Sequence, residues 1–332
     1  MKEAQVTLAY KKKSPGWTQS ALPLWKTSGA RRTADITTGV FHYVIILSLS
    51  FVFLYPVLFM ISQSLMTARD AADGTVQWIP KGISFENFAF AFRGMGFMEH
   101  FINSIILSVG GALLHLVGCS IAGYGFARYR FPGYTVLIVL LLFTFLVPPQ
   151  AIVVPLYLLF SRLNWLNTYS PLLIPNLFGH GLRGALFVMV FMQFFRGLPH
   201  QMEEAARIDG AGAFRTFLSI MLPMAKPAIL VVFLFSIVWH WNDSYFPDLY
   251  LKKTNTFTLN QMLGNFRESN FGQQKEAISE SGDAKDGIGQ LPTNHEKMMA
   301  GALMTILPIL ILYLYTQRYF VESVERTGIA GE

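Results

Sequence analysis

The chain has 332 residues, of which 52% are hydrophobic and only 14% charged, and Phe alone occurs 29 times. Soluble proteins carry about 25% charged residues, so this chain lacks the charge to cover a water-soluble globule; a disordered chain, a coiled coil and a disulfide scaffold are excluded as well. The formal net charge of +6 would raise nucleic acid as a partner in a soluble protein, and here it has to be located before it can be read.

In chain order, a basic tail comes first, residues 1–38, with Lys11, Lys12, Lys13, Lys26, Arg31 and Arg32. A helix needs about 20 apolar residues to cross a bilayer. Six stretches are read as spans: 39–65, 101–127, 134–160, 177–195, 227–243 and 298–320. The fold class is therefore an all-α polytopic membrane protein with six transmembrane helices. The first span is too long, and begins too far into the chain, for a cleaved signal. The third is interrupted at Pro148, Pro149 and Pro155, and the fourth contains Arg183. Six crossings put both termini on one side. That side also holds the Arg128–Gly133 turn and the 196–226 loop, and it carries the net excess of Lys and Arg, which marks it as cytoplasmic. On the other side lies one long segment, 244–297. Its mixture of Gly, Ser, Asn and both charge signs, notably from Gly272 to Pro292, reads as an exposed, partly mobile loop.

The 196–226 loop contains a short helix. Gln201 to Asp209 are mostly good helix formers, Pro199 precedes them and Gly210 follows as a C-terminal cap. Glu203 and Glu204 fall in the first turn, where negative charge suits the helix dipole. The small Ala205 and Ala206 would let such a helix sit in a groove on a partner.

Polar groups inside a membrane are costly unless used or paired. The candidates for a solute pathway are Gln150 beside the Pro148–Pro149 break, then Asn176, His180 and Arg183, then Trp239, Trp241, Asn242 and Asp243. Plainer readings stand beside these. The tryptophans suit an interfacial belt, and Arg183 could snorkel to headgroups. His115 reads as a hydrogen-bonded core residue, Gly110, Gly111 and Gly118 as close-packing positions, and Cys119 as a small buried side chain.

Glu204-Ala205-Ala206, three residues, Gly210, nine residues, then Ile220-Met221-Leu222-Pro223 resembles the signature of permease subunits of binding-protein-dependent ABC importers. Several stretches resemble the smaller permease of maltose-type sugar importers: Ala122–Gly133, Val147–Tyr157, Leu166–Tyr169, Trp241–Asp243 and Gln317–Val321. The resemblance covers residues 40–331 and departs in the long tail and in the extended segment after the fifth span. It implies a type I ABC importer permease fold with cytoplasmic termini, in a bacterial or archaeal cytoplasmic membrane. It implies that Glu203, Glu204, Ala205, Ala206, Asp209, Gly210, Leu222 and Pro223 form the ATPase-coupling element. Glu204 would pair with a basic residue in the ATPase cleft. The implied partners are a second homologous permease, an ATP-binding-cassette ATPase dimer, an extracytoplasmic solute-binding protein and a saccharide substrate.

No Gly-rich phosphate loop, H-E-x-x-H or Cys/His cluster occurs. The expectation is a non-enzymatic subunit with no catalytic residue, metal or cofactor of its own, whose ATP and Mg are bound by the partner ATPase. Rival readings are a glycerol-phosphate ester or an acidic saccharide as cargo, or a non-transporting membrane sensor or anchoring protein.

Overall fold

The computed structural model describes residues 28–73, 75–76, 78–281 and 294–329. Among them no strand forms beyond one isolated bridge between Met66 and Ile83. The helices are α1 Ser28–Ser64, α2 Ala68–Ala72, α3 Glu86–Gly94, α4 Phe97–Arg128, α5 Tyr134–Leu146, α6 Val153–Arg162, α7 Ser170–Leu177, α8 Gly184–Gly197, α9 Gln201–Ile208, α10 Ala213–Thr216, α11 Leu222–Met224, α12 Lys226–Asn242, α13 Tyr245–Tyr250, α14 Leu259–Ser281 and α15 His295–Ile329. A five-residue π-helical turn, Phe217–Met221, joins α10 to α11.

The chain divides into two units, residues 1–58 and 59–332. The described part of the first is one continuous helix whose side chains from Val40 to Leu54 are largely exposed and apolar. In the second unit α4 is the central helix. Its buried positions, including Ser104, Ser108, Gly111, His115, Cys119 and Gly123, recur every three or four residues and define one face, which Gly118 shares. Small residues on that face let neighbouring backbones approach. A side chain at Gly123 would meet Cβ of Phe191 in α8 at 2.5 Å, and one at Gly118 would strike the carbonyl of Leu177. A buried cluster of Cys119, Tyr124, Phe187, Phe191, Phe195, Phe217, Met221 and Val232 fills the space between α4, α8 and α12. A second cluster, Ala91, Met95, Trp241, Leu259, Phe266 and Ala300, joins α3, α14 and α15.

Among the described residues, three helices are long and apolar enough to cross a membrane: Gly39–Ser64, Phe97–Arg128 and His295–Arg318. Two bent pairs bring the number to five if each is one span. The Tyr134–Leu146 and Pro149–Arg162 helices turn by 101° at Val147–Pro148, and Ala213–Met224 turns by 78° into α12. Proline explains the first break, since it removes a backbone donor and clashes with the preceding turn.

Three expectations need correction. Pro155 breaks nothing: it lies in the first turn of α6, where a missing N–H is tolerated. The fourth stretch is not one span from 177. Arg183 stands outside the helix in a left-handed conformation, φ +64°, and α8 begins at Gly184. Its 14 residues reach about 21 Å, short of the ~30 Å hydrocarbon core. The 244–297 segment is no exposed loop over its first half. It folds into α13 and α14, and buries Tyr250, Leu251, Leu259 and Phe266. The stretch 282–293 lies outside the described residues, as does the tail before Ser28.

Candidate functional site

The first candidate is α9 with its flanks. The helix starts as the His200 carbonyl accepts from the amides of Glu203 and Glu204, at 3.0 and 3.2 Å. It ends as the amide of Ala211 bonds the Ala206 carbonyl (2.9 Å) and that of Gly210 bonds the Arg207 carbonyl (3.0 Å). This is a Schellman cap, and Gly210 supplies its left-handed residue at φ +77°. The helix has two faces. Glu204, Ala205, Arg207, Ile208 and Asp209 are exposed, whereas Glu203 and Ala206 are buried. Ile208 is 86% exposed and Phe214 69%. Charged and apolar side chains are thus left uncovered together on one short segment.

The motif residues do not all gather there. Leu222 and Pro223 lie in α11, beyond the π turn, where the chain bends into α12. Glu203 is buried where Glu204 is exposed. Its Oε1 lies 3.1 Å from Nε of Arg128, the last residue of α4, with side-chain exposures of 7% and 1%. The sequence shows Arg128 only as one member of a basic turn, and nothing in its spacing reveals the partner.

The second candidate is a cavity of about 140 Å³ between the α5–α6 break, the α7–α8 connection and the α12–α13 corner. Of the pathway residues expected from the sequence, His180, Arg183 and Asp243 line it. Asn176 is buried behind it, and its amide donates to Nε2 of His240 (3.0 Å) and to the Leu172 carbonyl (3.0 Å). His240, which lines the cavity, donates from Nδ1 to the Ser236 carbonyl (2.8 Å), leaving Nε2 to accept. Ser236 in turn meets Nδ1 of His115 at 2.9 Å, so His115 is the hydrogen-bonded core residue that its isolation implies. Gly111 makes room for this, since a side chain there would fall 2.7 Å from Nε2 of His240.

The other four pathway residues do not line the cavity. Gln150 is exposed on the short Pro149–Ile152 turn. Trp239 packs on Phe187 and Phe235, with the Arg183 guanidinium 5.6 Å from its ring. Trp241 is buried, not in an interfacial belt, and its indole N–H donates to the Thr305 carbonyl at 3.1 Å. Asn242 is exposed and bonds back to Val238 (2.9 Å).

Sequence reasoning misses Tyr250, Phe246 and Phe160, which do line the cavity. Tyr250 is 2% exposed and its hydroxyl has no hydrogen-bond partner. Burial pushes its phenol up to about 12, so the hydroxyl stays a neutral donor. The Tyr245-Phe-Pro-Asp-Leu-Tyr250 run is itself a sign of a packed segment, masked by the polar composition that follows.

The comparisons place this architecture. Residues 116–326 match the model of the family described as binding-protein-dependent transport system inner membrane component. The arabinooligosaccharides transport system permease protein AraQ of Bacillus subtilis is 27% identical over 85% of this chain and 92% of its own length. The melibiose/raffinose/stachyose import permease protein MelC of the same organism is 29% identical over 78% and 86%. The diacetylchitobiose uptake system permease protein NgcG of Streptomyces coelicolor is 27% identical over 91% and 92%. A chain from the crystal structure of a bacterial ABC transporter involved in the import of the acidic polysaccharide alginate superposes with a TM-score of 0.71 at 21% identity, covering 86% of this chain and 98% of that one. The fold is shared with that transporter chain, and the family match runs from the C-terminal part of α4 through the α9 loop into α15. The chain belongs to the family of binding-protein-dependent transport system inner membrane components.

Proposed function

We propose that this chain is the transmembrane subunit of an ATP-driven importer for a saccharide, most simply an oligosaccharide. The observation that carries the reading is the complete spaced motif, with its Glu204–Gly210 segment on an exposed, tightly capped helix inside the family match. The subunit works with a second permease, two ATPase subunits that bind ATP and Mg, and an extracytoplasmic solute-binding protein. It resides in the cytoplasmic membrane with both termini inside. The sixth crossing is completed by α8 together with the α7–α8 connection. Residues 196–226 form the inner coupling loop and residues 244–297 the outer segment. Closure of the ATPase pair moves α9, and the spans respond by alternating access.

The names of the relatives, each a saccharide permease, support the cargo class. The cavity supports direct contact by this subunit. Aromatic faces at Phe160, Phe246 and Tyr250 suit the C–H faces of sugar rings, and Tyr250, His180 and Asp243 offer groups for their hydroxyls. An acidic saccharide is the second reading, favoured by Arg183 and His180 in the cavity wall.

Glu204→Ala and Gly210→Pro test the coupling role. The full complex in proteoliposomes is expected to lose uptake and binding-protein-stimulated ATP hydrolysis in both variants. Wild-type transport and stimulation in both would sink the reading. A thermal-shift sugar screen on the cognate binding protein decides the cargo class.

A further inference from the structure

The contact between α9 and the rest of the protein is narrow. Only Glu203 and Ala206 of this helix are buried. An alanine methyl group has little reach, so lateral position depends on Glu203. Its partner Arg128 uses one guanidinium to reach three residues, on α9, at its N-cap and at the C-cap of α8. Nε lies 3.1 Å from Oε1 of Glu203 in α9, a buried ion pair held by charge proximity and not by an aligned hydrogen bond. Nη2 donates to the carbonyl of Leu198, the C-cap of α8, at 2.7 Å. Nη1 lies 3.1 Å from the ring nitrogens of His200, just before α9. The planar fork of arginine makes such a three-way grip possible.

A buried ion pair adds little net stability compared with an apolar pair of the same size. Separating the two buried charges is costly, however, so the pair resists displacement of one helix from the other. Arg128 ends α4, which is locked to its neighbours along its length by Gly123 against α8, Gly118 against the end of α7 and Gly111 against His240 of α12. His240 is also a wall of the cavity. A shift of α9 applied at Arg128 is therefore applied to a rigid group of helices that ends at the cavity.

We propose that the Arg128–Glu203 pair is the positioning contact that transmits displacement of α9 to α4 and hence to the cavity wall. The proposal rests on the importer reading above, and the test separates the two. The complete importer is reconstituted with wild-type chain, Glu203→Gln, Arg128→Met or Arg128→Lys. Uptake of the radiolabelled oligosaccharide that the wild type carries is measured per ATP hydrolysed. ATP-dependent maleimide labelling of an Ala185→Cys position in the cavity wall, in a Cys119→Ser background, reports movement without reference to cargo.

Glu203→Gln keeps the side-chain shape and leaves the outer face of α9 unchanged. It is expected to retain the ATPase subunits and the KM for ATP, while uptake per ATP falls about fivefold or more, the span of a typical coupling energy. The ATP-dependent change in labelling is expected to shrink in parallel. Arg128→Met is expected to behave alike, and Arg128→Lys to recover part of the coupling, since it keeps the charge but not the fork. Wild-type stoichiometry and labelling in Glu203→Gln and Arg128→Met overturn the proposal. Loss of ATPase copurification in Glu203→Gln overturns it too, because the pair would then be an assembly determinant rather than a relay. A wild-type complex that neither transports nor changes labelling with ATP would instead remove the importer reading itself.

Discussion

Helices α1 and α4 are both long and apolar enough to cross a membrane, yet 6% of the most apolar stretch of α1 is buried and 44% of that of α4. Hydropathy alone does not separate them. What separates them is the distribution of small and polar residues. The α4 stretch places Gly111, His115, Gly118, Cys119, Ser120 and Gly123 along its buried positions. From Val40 to Leu54, α1 carries bulky apolar side chains all round, including Phe41, Tyr43, Phe51 and Phe53. Apolar surface drives a helix into lipid, but in lipid it gives no reason to prefer a protein neighbour. Close backbone approach and internal hydrogen bonds do that.

The comparison can be broken most severely on α4. Gly118→Leu has nowhere to go, because the obstructing group is the backbone carbonyl of Leu177. It is expected to abolish recovery of the folded subunit in detergent, at a cost beyond the roughly 1–3 kcal/mol of ordinary overpacking. Gly39→Leu on α1, with nothing within 4 Å of the added carbon, is the control and is expected to purify normally. A folded Gly118→Leu chain would show that α4 is not packed as described.

A smaller effect is expected where polarity rather than size holds α4. His115→Val removes the nearer of two partners of the Ser236 hydroxyl. Hydrogen bonds between helices in a bilayer are worth about 0.6–1.7 kcal/mol, so a melting temperature lowered by a few degrees is expected. An unchanged melting curve would mean that the His115–Ser236–His240 chain does not tie α4 to α12.

Tyr250→Phe sharpens the contrast between holding a helix and holding a cargo. The hydroxyl has no protein partner, so its loss is not expected to lower stability. If it donates to a sugar hydroxyl, the half-saturating cargo concentration rises about fivefold, the worth of one hydrogen bond of ~1 kcal/mol. With the phenol protonated up to about 12, the defect is expected to be the same across the neutral pH range. Unchanged uptake kinetics would remove Tyr250 from the pathway. Smallest of all is Phe53→Ala on α1, where the side chain is 77% exposed. Stability in lipid is expected to stay within about 0.5 kcal/mol of wild type, and a larger loss would point to a partner against this face.

Much of the fold is legible in the sequence because its signals are local. The apolar runs lie within a few residues of the stretches of α1, α4 and α15 that are long and apolar enough to cross a membrane. Pro148 and Pro149 announce the 101° break, because proline acts on its own backbone and on the turn beside it. The Pro199–Gly210 segment declares its helix and its cap for the same reason. The errors fall where local composition misleads. Polar residues in 259–281 suggest a loop although α14 buries Leu259 and Phe266. The apolar run from 177 suggests one span although the helix is interrupted between Leu177 and Gly184, with Gly179, Gly181 and Arg183 all at positive φ.

The apolar composition, the helical class, the proline break and the family motif can all be read along the chain, because each depends on neighbours within a turn or two of helix. That Glu203 faces Arg128 at the end of another helix, while adjacent Glu204 faces outward, emerges from packing between helices. The same packing brings His180, Arg183, Asp243 and Tyr250 to one cavity and leaves Gln150, Trp239, Trp241 and Asn242 off it. Those outcomes depend on which helix faces meet across the bundle, and that is set by glycine contacts and buried hydrogen bonds between residues far apart in the chain.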